Sequence, residues 1–555
     1  MIHVEGLRLH YAGAAGPTLE NVDLEVAPGE LVLITGPTGC GKSSLLNCLN
    51  GILQHESSAR VEGTVLLDGR DVGRLELAQI CRIAGTVFQN PDSQICTATP
   101  ETEIAFGLEN LAVDRATMIR RIEEALSIVR LEECRHQPAT SLSGGQKQRL
   151  AIACALALKP KVLLLDEPLS QLDPGGVQEI LSVIHDLKLA HELAVVLVEH
   201  RIEETIALAD RVVLMHQGRI ELDLTREEAL ADLAPMRRLG LNLPLLADLF
   251  ERLGRPERPL RAEDAPLLAV SGGAAGSGRR AVGSGQQAVP DPHPSSFILH
   301  PSSFLCEIRQ LAFGYARHGP PVFAGLSVAL RRGDRVALMG RNGSGKSTLL
   351  HLMAGLLTPR AGRIVWTGPH APSVGLVMQV PDLMLFSESV RQEVAFAPIH
   401  ARMARQQRER IVEAVLARMG LEDLADQAPF ALSRGQRLRT AVASILSKQP
   451  SVLLLDEPTT GQDREQIERM MTGLEEDFEL LVFCTHDVQT AARHADRIIL
   501  LEAGRIVADG GPVEVLFNEK ALESASIRQT SLQKYAMRHD LKALDVDSLM
   551  QGLGG

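Results

Sequence analysis

Aromatic side chains are scarce in this 555-residue sequence: one Trp, three Tyr and 13 Phe amount to 3%. So thin a supply disfavours the aromatic stacking platforms that hold single-stranded nucleic acid, and it makes the place of each tyrosine informative. Positive charge is also in deficit. The 57 Lys and Arg against 69 Asp and Glu leave a formal charge of −12, which argues against a globally basic nucleic-acid binder but not against a local basic patch. The eight cysteines are scattered without a C-x-x-C pair, so neither a zinc site nor a disulfide framework is expected, and reduced thiols in a cytosolic setting are. No apolar run approaches the roughly 20 residues of a membrane-spanning helix. The opening MIHVEGLRLHY carries charge early and lacks the apolar core of a signal peptide.

What is present is a globular balance, 45% apolar and 23% charged, in a chain longer than one ordinary domain. It repeats itself. GPTGCGKS (Gly36–Ser43) returns as GRNGSGKS (Gly340–Ser347), LSGGQ (Leu142–Gln146) as LSRGQ (Leu432–Gln436), and VLLLDEP (Val162–Pro168) at Val452–Pro458. Gln89 precedes Ser143 by 54 residues, as Gln379 precedes Ser433. A unit of this length written twice indicates duplicated domains rather than a solenoid. From Lys42 to Gln89 is 47 residues but from Lys346 to Gln379 only 33, a difference expected at hairpin loops of short β segments. Ser271–Ser303 is rich in Gly, Ser, Pro and Ala, repeats HPSSF, and reads as flexible linker spanning about 30 Å as a coil. The expected organisation is a first domain over 1–260 with a helical extension, a linker over 261–304, a second domain over 305–520 and a helical tail over 521–555. Continuous apolar runs such as VLLLD, alternating with helical stretches, argue an α/β fold with a parallel sheet.

Each glycine-rich loop follows an apolar strand and opens a helix, the context that makes G-x-x-x-x-G-K-S a phosphate cradle. Its members are Gly36, Pro37, Thr38, Gly39, Cys40, Gly41, Lys42, Ser43 and the following Ser44, and Gly340, Arg341, Asn342, Gly343, Ser344, Gly345, Lys346, Ser347 and Thr348. Lys42 and Lys346 would reach the β- and γ-phosphates, and Ser43 and Ser347 would ligate Mg²⁺. Asp166 and Asp456 end apolar strands and would hold the same ion; Glu167 and Glu457 would polarise the attacking water. His200 and His486, each just past a strand, could donate to the γ-phosphate. Ser143 with Gln146, and Ser433 with Gln436, form helix-start capping boxes. Gly144, Gly145 and Gly435 leave those helix ends bare enough for a phosphate. One nucleotide needs only one P-loop, so the economical arrangement has each capping-box helix meeting the nucleotide of the other half. Tyr11 and Tyr315 stand at equivalent places ahead of the P-loops, where a ring can stack on a purine or simply fill a turn.

With these residues the sequence resembles the ABC ATPase family along nearly the whole of both halves. The resemblance implies two P-loop NTPase (ABC-type) nucleotide-binding domains, each with a mixed β-sheet core, an antiparallel β subdomain and a helical subdomain. It implies head-to-tail pairing with two ATPs between the halves, and Gln89 and Gln379 as Q-loop residues joining Asp166 and Asp456 at Mg²⁺. The finer similarity is to the ATPase component of energy-coupling factor transporters in fused form, on QNPDSQICTATPETEIAFGLENL (Gln89–Leu111), DEPLSQLDP, DEPTTGQD and LSRGQ. That similarity implies docking at the cytoplasmic face of the cell membrane on an integral T-component, which carries an S-component for a vitamin, vitamin precursor or transition-metal ion. No nucleic-acid partner is expected. Glu101, Glu103, Glu388 and Glu393 are candidates for pairing with basic groups of that partner, or are solvated surface charge. Two departures stand out: Arg434 replaces a signature glycine, and the loops Ser170–Asp173 and Thr460–Asp463 differ. Two unequal but competent sites are expected, and Cys40 is expected to make the first site thiol-sensitive unless ATP covers it. A tandem sugar-importer ATPase usually has one degenerate P-loop, and a soluble translation-associated ABC protein tends to have a charged helical linker; neither fits as well.

Overall fold

The runs LVLIT (Leu31–Thr35), VLLLD (Val162–Asp166) and AVVLV (Ala194–Val198) bury side chains on both faces, the pattern of central strands covered by helices on each side. They lie in a six-stranded sheet whose spatial order is Arg219–Thr225, Arg211–His216, Leu31–Thr35, Ala194–Val198, Val162–Asp166 and Ala84–Val87. Its first pair is antiparallel and the rest are parallel. The second half reproduces this order with Arg505–Gly510, Arg497–Glu502, Arg335–Met339, Leu480–Cys484, Val452–Asp456 and Val374–Val377. This computed structural model describes all residues except 13–15, 57–58, 171, 191–192, 269–303, 317–318, 369–370, 460–461, 475–477 and 554–555. The HPSSF repeat except its last residue, Phe304, most of the expected linker, and Gln171, Thr460 and Gly461 therefore lie outside the described residues.

An antiparallel sheet caps each half: Leu19–Val26, Ile2–Tyr11, Ala59–Leu67 and Arg70–Asp71 in the first, and Phe323–Arg331, Phe304–Phe313 and Ala361–Trp366 in the second. The second half's shorter stretch explains the missing strand. Among the described residues, the Arg70–Asp71 strand, the Val72–Arg74 turn and the Leu77–Ile80 helix between hairpin and Q-loop occur in the first half and have no counterpart in the second. A helical layer follows in both, Pro100–Asn110, Arg115–Ile128 and Gly144–Ala157 matched by Val390–His400, Arg405–Met419 and Arg434–Leu446. Each half has two cores, one between the antiparallel sheet and the main sheet, one between the main sheet and the helical layer.

A fifth core joins the two halves. Helix Leu245–Arg252 packs its Leu245, Leu246, Leu249 and Phe250 against helices Ser531–Met537 and Val546–Leu553 of the chain's end. Ala262 and Ala265, placed by the sequence in the linker, are buried in that cluster; the packed part of the first half thus runs past residue 260. Among the described residues, no helix is long and apolar enough to cross a membrane.

Candidate functional site

The two P-loops take the same shape. Gly41 and Gly345 cap helices Lys42–Leu49 and Lys346–Met353 with φ of 104° and 107°, a left-handed backbone that glycine adopts without penalty. A Cβ at Gly41 would come within 2.7 Å of Leu19, and one at Gly345 within 2.8 Å of Phe323. The lysines fold back over their own loops. Lys42 Nζ donates to the carbonyls of Gly36 (2.9 Å) and Pro37 (3.0 Å), and Lys346 Nζ to those of Gly340 (2.8 Å) and Arg341 (3.3 Å). Those bonds are ones a phosphate would replace. Tyr11 places its hydroxyl 3.2 Å from Ser44 Oγ, and Tyr315 its own 3.0 Å from Thr348 Oγ1. Tyr315 is exposed, 69%, and its ring meets Phe313 in a T-shaped contact at 5.2 Å.

Behind each loop sit the carboxylates. Ser43 Oγ donates to Asp166 Oδ1 at 3.0 Å, and Ser347 hydrogen-bonds Asp456. Burial, with Glu167 beside it, pushes the Asp166 carboxyl up to about 7 against the opposing pull of Ser43 and Lys42; burial likewise raises Asp456. A positive ion would remove that penalty, and Asp456 Oδ1 is buried without a hydrogen-bond partner. Among the described residues no three His, Cys, Asp or Glu side chains converge as a metal cage. An ion held by one serine and one aspartate takes its other ligands from phosphate and water, the habit of Mg²⁺.

Glu167 and Glu457 both adopt positive φ, 45° and 52°, a sparsely populated backbone that a well-packed site can enforce. Glu167 Oε1 lies 3.0 Å from His200 Nε2, and Glu457 Oε1 3.0 Å from His486 Nε2. Burial works to raise Glu167, but His200, Lys42 and Arg434 outweigh it and hold it at about 2. Glu457 is lowered in the same way, burial being overruled by His486, Lys346 and Arg201. The sites differ at the Q-loops: Gln89 Nε2 donates to Glu167 Oε2 at 2.6 Å, whereas Gln379 is exposed. They differ also at His486, which reaches Asn342 Oδ1 (3.0 Å) and lies 3.3 Å from Lys346 Nζ.

The halves interlock at these loops. Thr38 N donates to Asp463 Oδ2 at 2.8 Å and Asp463 N to Thr38 Oγ1 at 3.2 Å. Reciprocally, Asn342 N donates to Asp173 Oδ2 at 3.3 Å. Ser143 and Ser433 cap their helices, each Oγ accepting from the backbone N–H of Gln146 or Gln436 at 3.3 Å. Gly435 at the second cap sits where a Cβ would touch Thr38 Cγ2 of the first P-loop at 3.6 Å. Thus the first P-loop faces the second signature.

Three expectations are corrected. Cys40 is buried, 5% exposed, and burial raises its thiol despite Lys42 nearby, so it is shielded without ATP. Glu103 and Glu393 are buried and accept backbone N–H bonds from Cys96 and Thr97, and from Phe386 and Ser387; they hold the post-Q-loop turn rather than face a partner. Glu101 is paired with Arg135 and His136. Of the four, Glu388 alone is exposed. The sequence reading also passed over the pairing of Asp173 and Asp463 with the opposite P-loops, and over Arg201, which acts on Glu457 across the interface. The visible signal for Arg201 was the contrast of Glu199–His200–Arg201 with Thr485–His486–Asp487.

Two P-loop sheets closed face to face, each loop bonded to an aspartate of the other half and the first loop against the second capping helix, define a nucleotide-hydrolysing dimer within one chain. A family profile described as "ABC transporter" matches residues 19–170 and 323–460. A Methanosarcina acetivorans protein provisionally described as an ABC transporter ATP-binding protein is 40% identical over 588 aligned positions, covering 100% of this chain and 91% of that one. A Bacillus subtilis protein provisionally assigned to HMP/thiamine import is 33% identical, over 94% of this chain and 93% of its own. Among solved structures, CbiO1 of Clostridium perfringens, part of the CbiONQ complex, is 30% identical across 42% of this chain and 99% of its own, with a TM-score of 0.37. The chain belongs to the ABC transporter ATP-binding family and is an ATPase with two such domains in tandem.

Proposed function

We propose that this chain energises uptake of a micronutrient through an importer of the energy-coupling factor type, with two composite ATP sites between its halves. The reciprocal contacts of Thr38 with Asp463 and Asn342 with Asp173 carry the composite-site reading. Lys42 and Lys346 bind the β- and γ-phosphates, their loop carbonyls being released as the phosphates arrive. Ser143, Gly144, Gly145 and Gln146 contact the nucleotide held by Lys346, and Ser433, Gly435 and Gln436 the one held by Lys42. Tyr11 and Tyr315 lie against adenine. Ser43, Asp166 and Gln89 would hold Mg²⁺ in the first site, and Ser347, Asp456 and Gln379 in the second, where the ion neutralises phosphate charge. Glu167 and Glu457 take the proton of the attacking water; His200 and His486 orient each glutamate and donate toward the γ-phosphate.

Support for a membrane partner comes from the segment after the second Q-loop. Val380, Leu383, Phe386, Phe396 and Ile399 are all exposed there, and Leu383 is 74% exposed. Phe106 is the exposed apolar counterpart in the first half. Apolar exposure of this kind marks an interaction surface. The relative named for HMP/thiamine import supports a vitamin precursor as cargo, beside a vitamin or a transition-metal ion. Purification from membranes with identification of co-eluting polypeptides tests this. Two small multi-pass proteins are expected; a sugar-importer permease pair or ribosomes would refute the reading.

A further inference from the structure

Arg434 opens the second signature helix, where the first signature has Gly144. It stands beside Gly435, where a Cβ would lie 3.6 Å from Thr38 Cγ2 of the first P-loop, and Glu167 of the first half is the carboxylate that attracts its guanidinium most. The group is half-buried between the halves and, among the described residues, forms no ion pair. Its neighbour Asp382 is already taken by Arg437 at 2.9 Å. An unpaired guanidinium withdrawn from water is costly, and the cost calls for an anion that arrives only in the loaded state.

We propose that Arg434 is a catalytic residue of the first composite site, supplied by the second half, which binds the γ-phosphate of the ATP held by Lys42 and stabilises it during hydrolysis. The proposal rests on the composite-site reading. Water attacks the γ-phosphorus, the new P–O bond forms as the β–γ bridging bond breaks, and the bridging electron pair stays on ADP. The water proton passes to Glu167. Arg434 takes no proton; its N–H groups donate to the γ-oxygens as negative charge shifts between them and the bridge. A guanidinium fork suits that geometry better than an ammonium. Gly144 leaves the second site without this group, so the two sites are chemically unequal.

The test uses the full chain. Arg434→Gln is expected to lower kcat for Mg-ATP at least about tenfold, with Arg434→Lys between it and the natural chain. In a chain silenced by Glu167→Gln and Glu457→Gln, Arg434→Gln is expected to weaken ATP at one of the two sites about tenfold and leave ADP at both unchanged. Unchanged or faster turnover, or equal loss of ATP and ADP affinity, would overturn the proposal; faster turnover would make Arg434 a restraint on Glu167. Ser433→Ala separates the two levels. If it lowers turnover while Arg434→Gln does not, the composite site stands and the arginine's role falls. If neither does, the composite site falls as well.

Discussion

The paired glutamates show how much chemistry is concentrated on single side chains. Each is buried, held in a left-handed backbone conformation and 3.0 Å from a histidine nitrogen. Glu167→Gln and Glu457→Gln are each expected to lower ATP turnover by about 100-fold or more. Their residual rates should differ, because Gln89 and Arg434 attend only the first; equal residual rates in steady-state assays would contradict the inequality. Cysteine chemistry is set by burial in the same way. Cys81 and Cys96 are exposed whereas Cys40 and Cys48 are buried. Peptide mapping after brief maleimide treatment should find label on Cys81 and Cys96 and none on Cys40, with or without ATP. Thiolates, not thiols, react, and burial disfavours the thiolate of Cys40.

Among the elements, the short helix Ile202–Thr205 has a role its length does not suggest. Its Glu203 accepts a hydrogen bond from Ser531 Oγ, at the start of a tail helix. Burial, aided by the neighbouring Glu204 and opposed by the bonds from Ser531, pushes Glu203 up to about 7. Glu199, four residues earlier, just past the strand Ala194–Val198 and buried, is raised to about 7 by burial and by Glu167. A carboxyl raised above its unfolded value near 4.5 contributes stability that is complete below that value and lost as pH climbs through about 7. The melting temperature should therefore fall between about pH 5 and pH 7, and Glu203→Gln should flatten part of that fall. A slope unchanged by the substitution would show that the tail contact does not titrate.

At the scale of the molecule, the chain's end grips the extension of its own first half. Tyr535 is fully buried, donates to the carbonyl of Pro266 at 2.7 Å, and meets Phe250 edge-on at 5.8 Å. Arg252 and Asp547 close the rim at 2.9 Å. Tyr535→Ala should cost about 3 kcal/mol, by lost burial and a stranded carbonyl, measured as an earlier step in denaturant unfolding. Tyr535→Phe, which keeps the ring, should cost about 1 kcal/mol. This clasp and the loop contacts both hold the halves together.

The duplication, the α/β class, the P-loop residues and the carboxylates behind them were legible in the sequence, because each depends on contiguous residues: an apolar strand, a glycine turn, a helix start. Even the 14-residue difference between halves marked the right place, a hairpin region where one strand and one short helix are dispensable. The tertiary structure alone decided what meets what. Thr38 and Asp463 are 425 positions apart, and no local pattern ties their partnership. Glu103 and Glu393 looked like surface charge until the fold turned them onto backbone N–H groups. The scarce tyrosines follow the same division. Tyr11 and Tyr315 could be placed by their register with the P-loops, but Tyr535 found its meaning only when the last helices closed over the first half. Burial and contact across the chain are properties of packing, and packing is set by the whole fold.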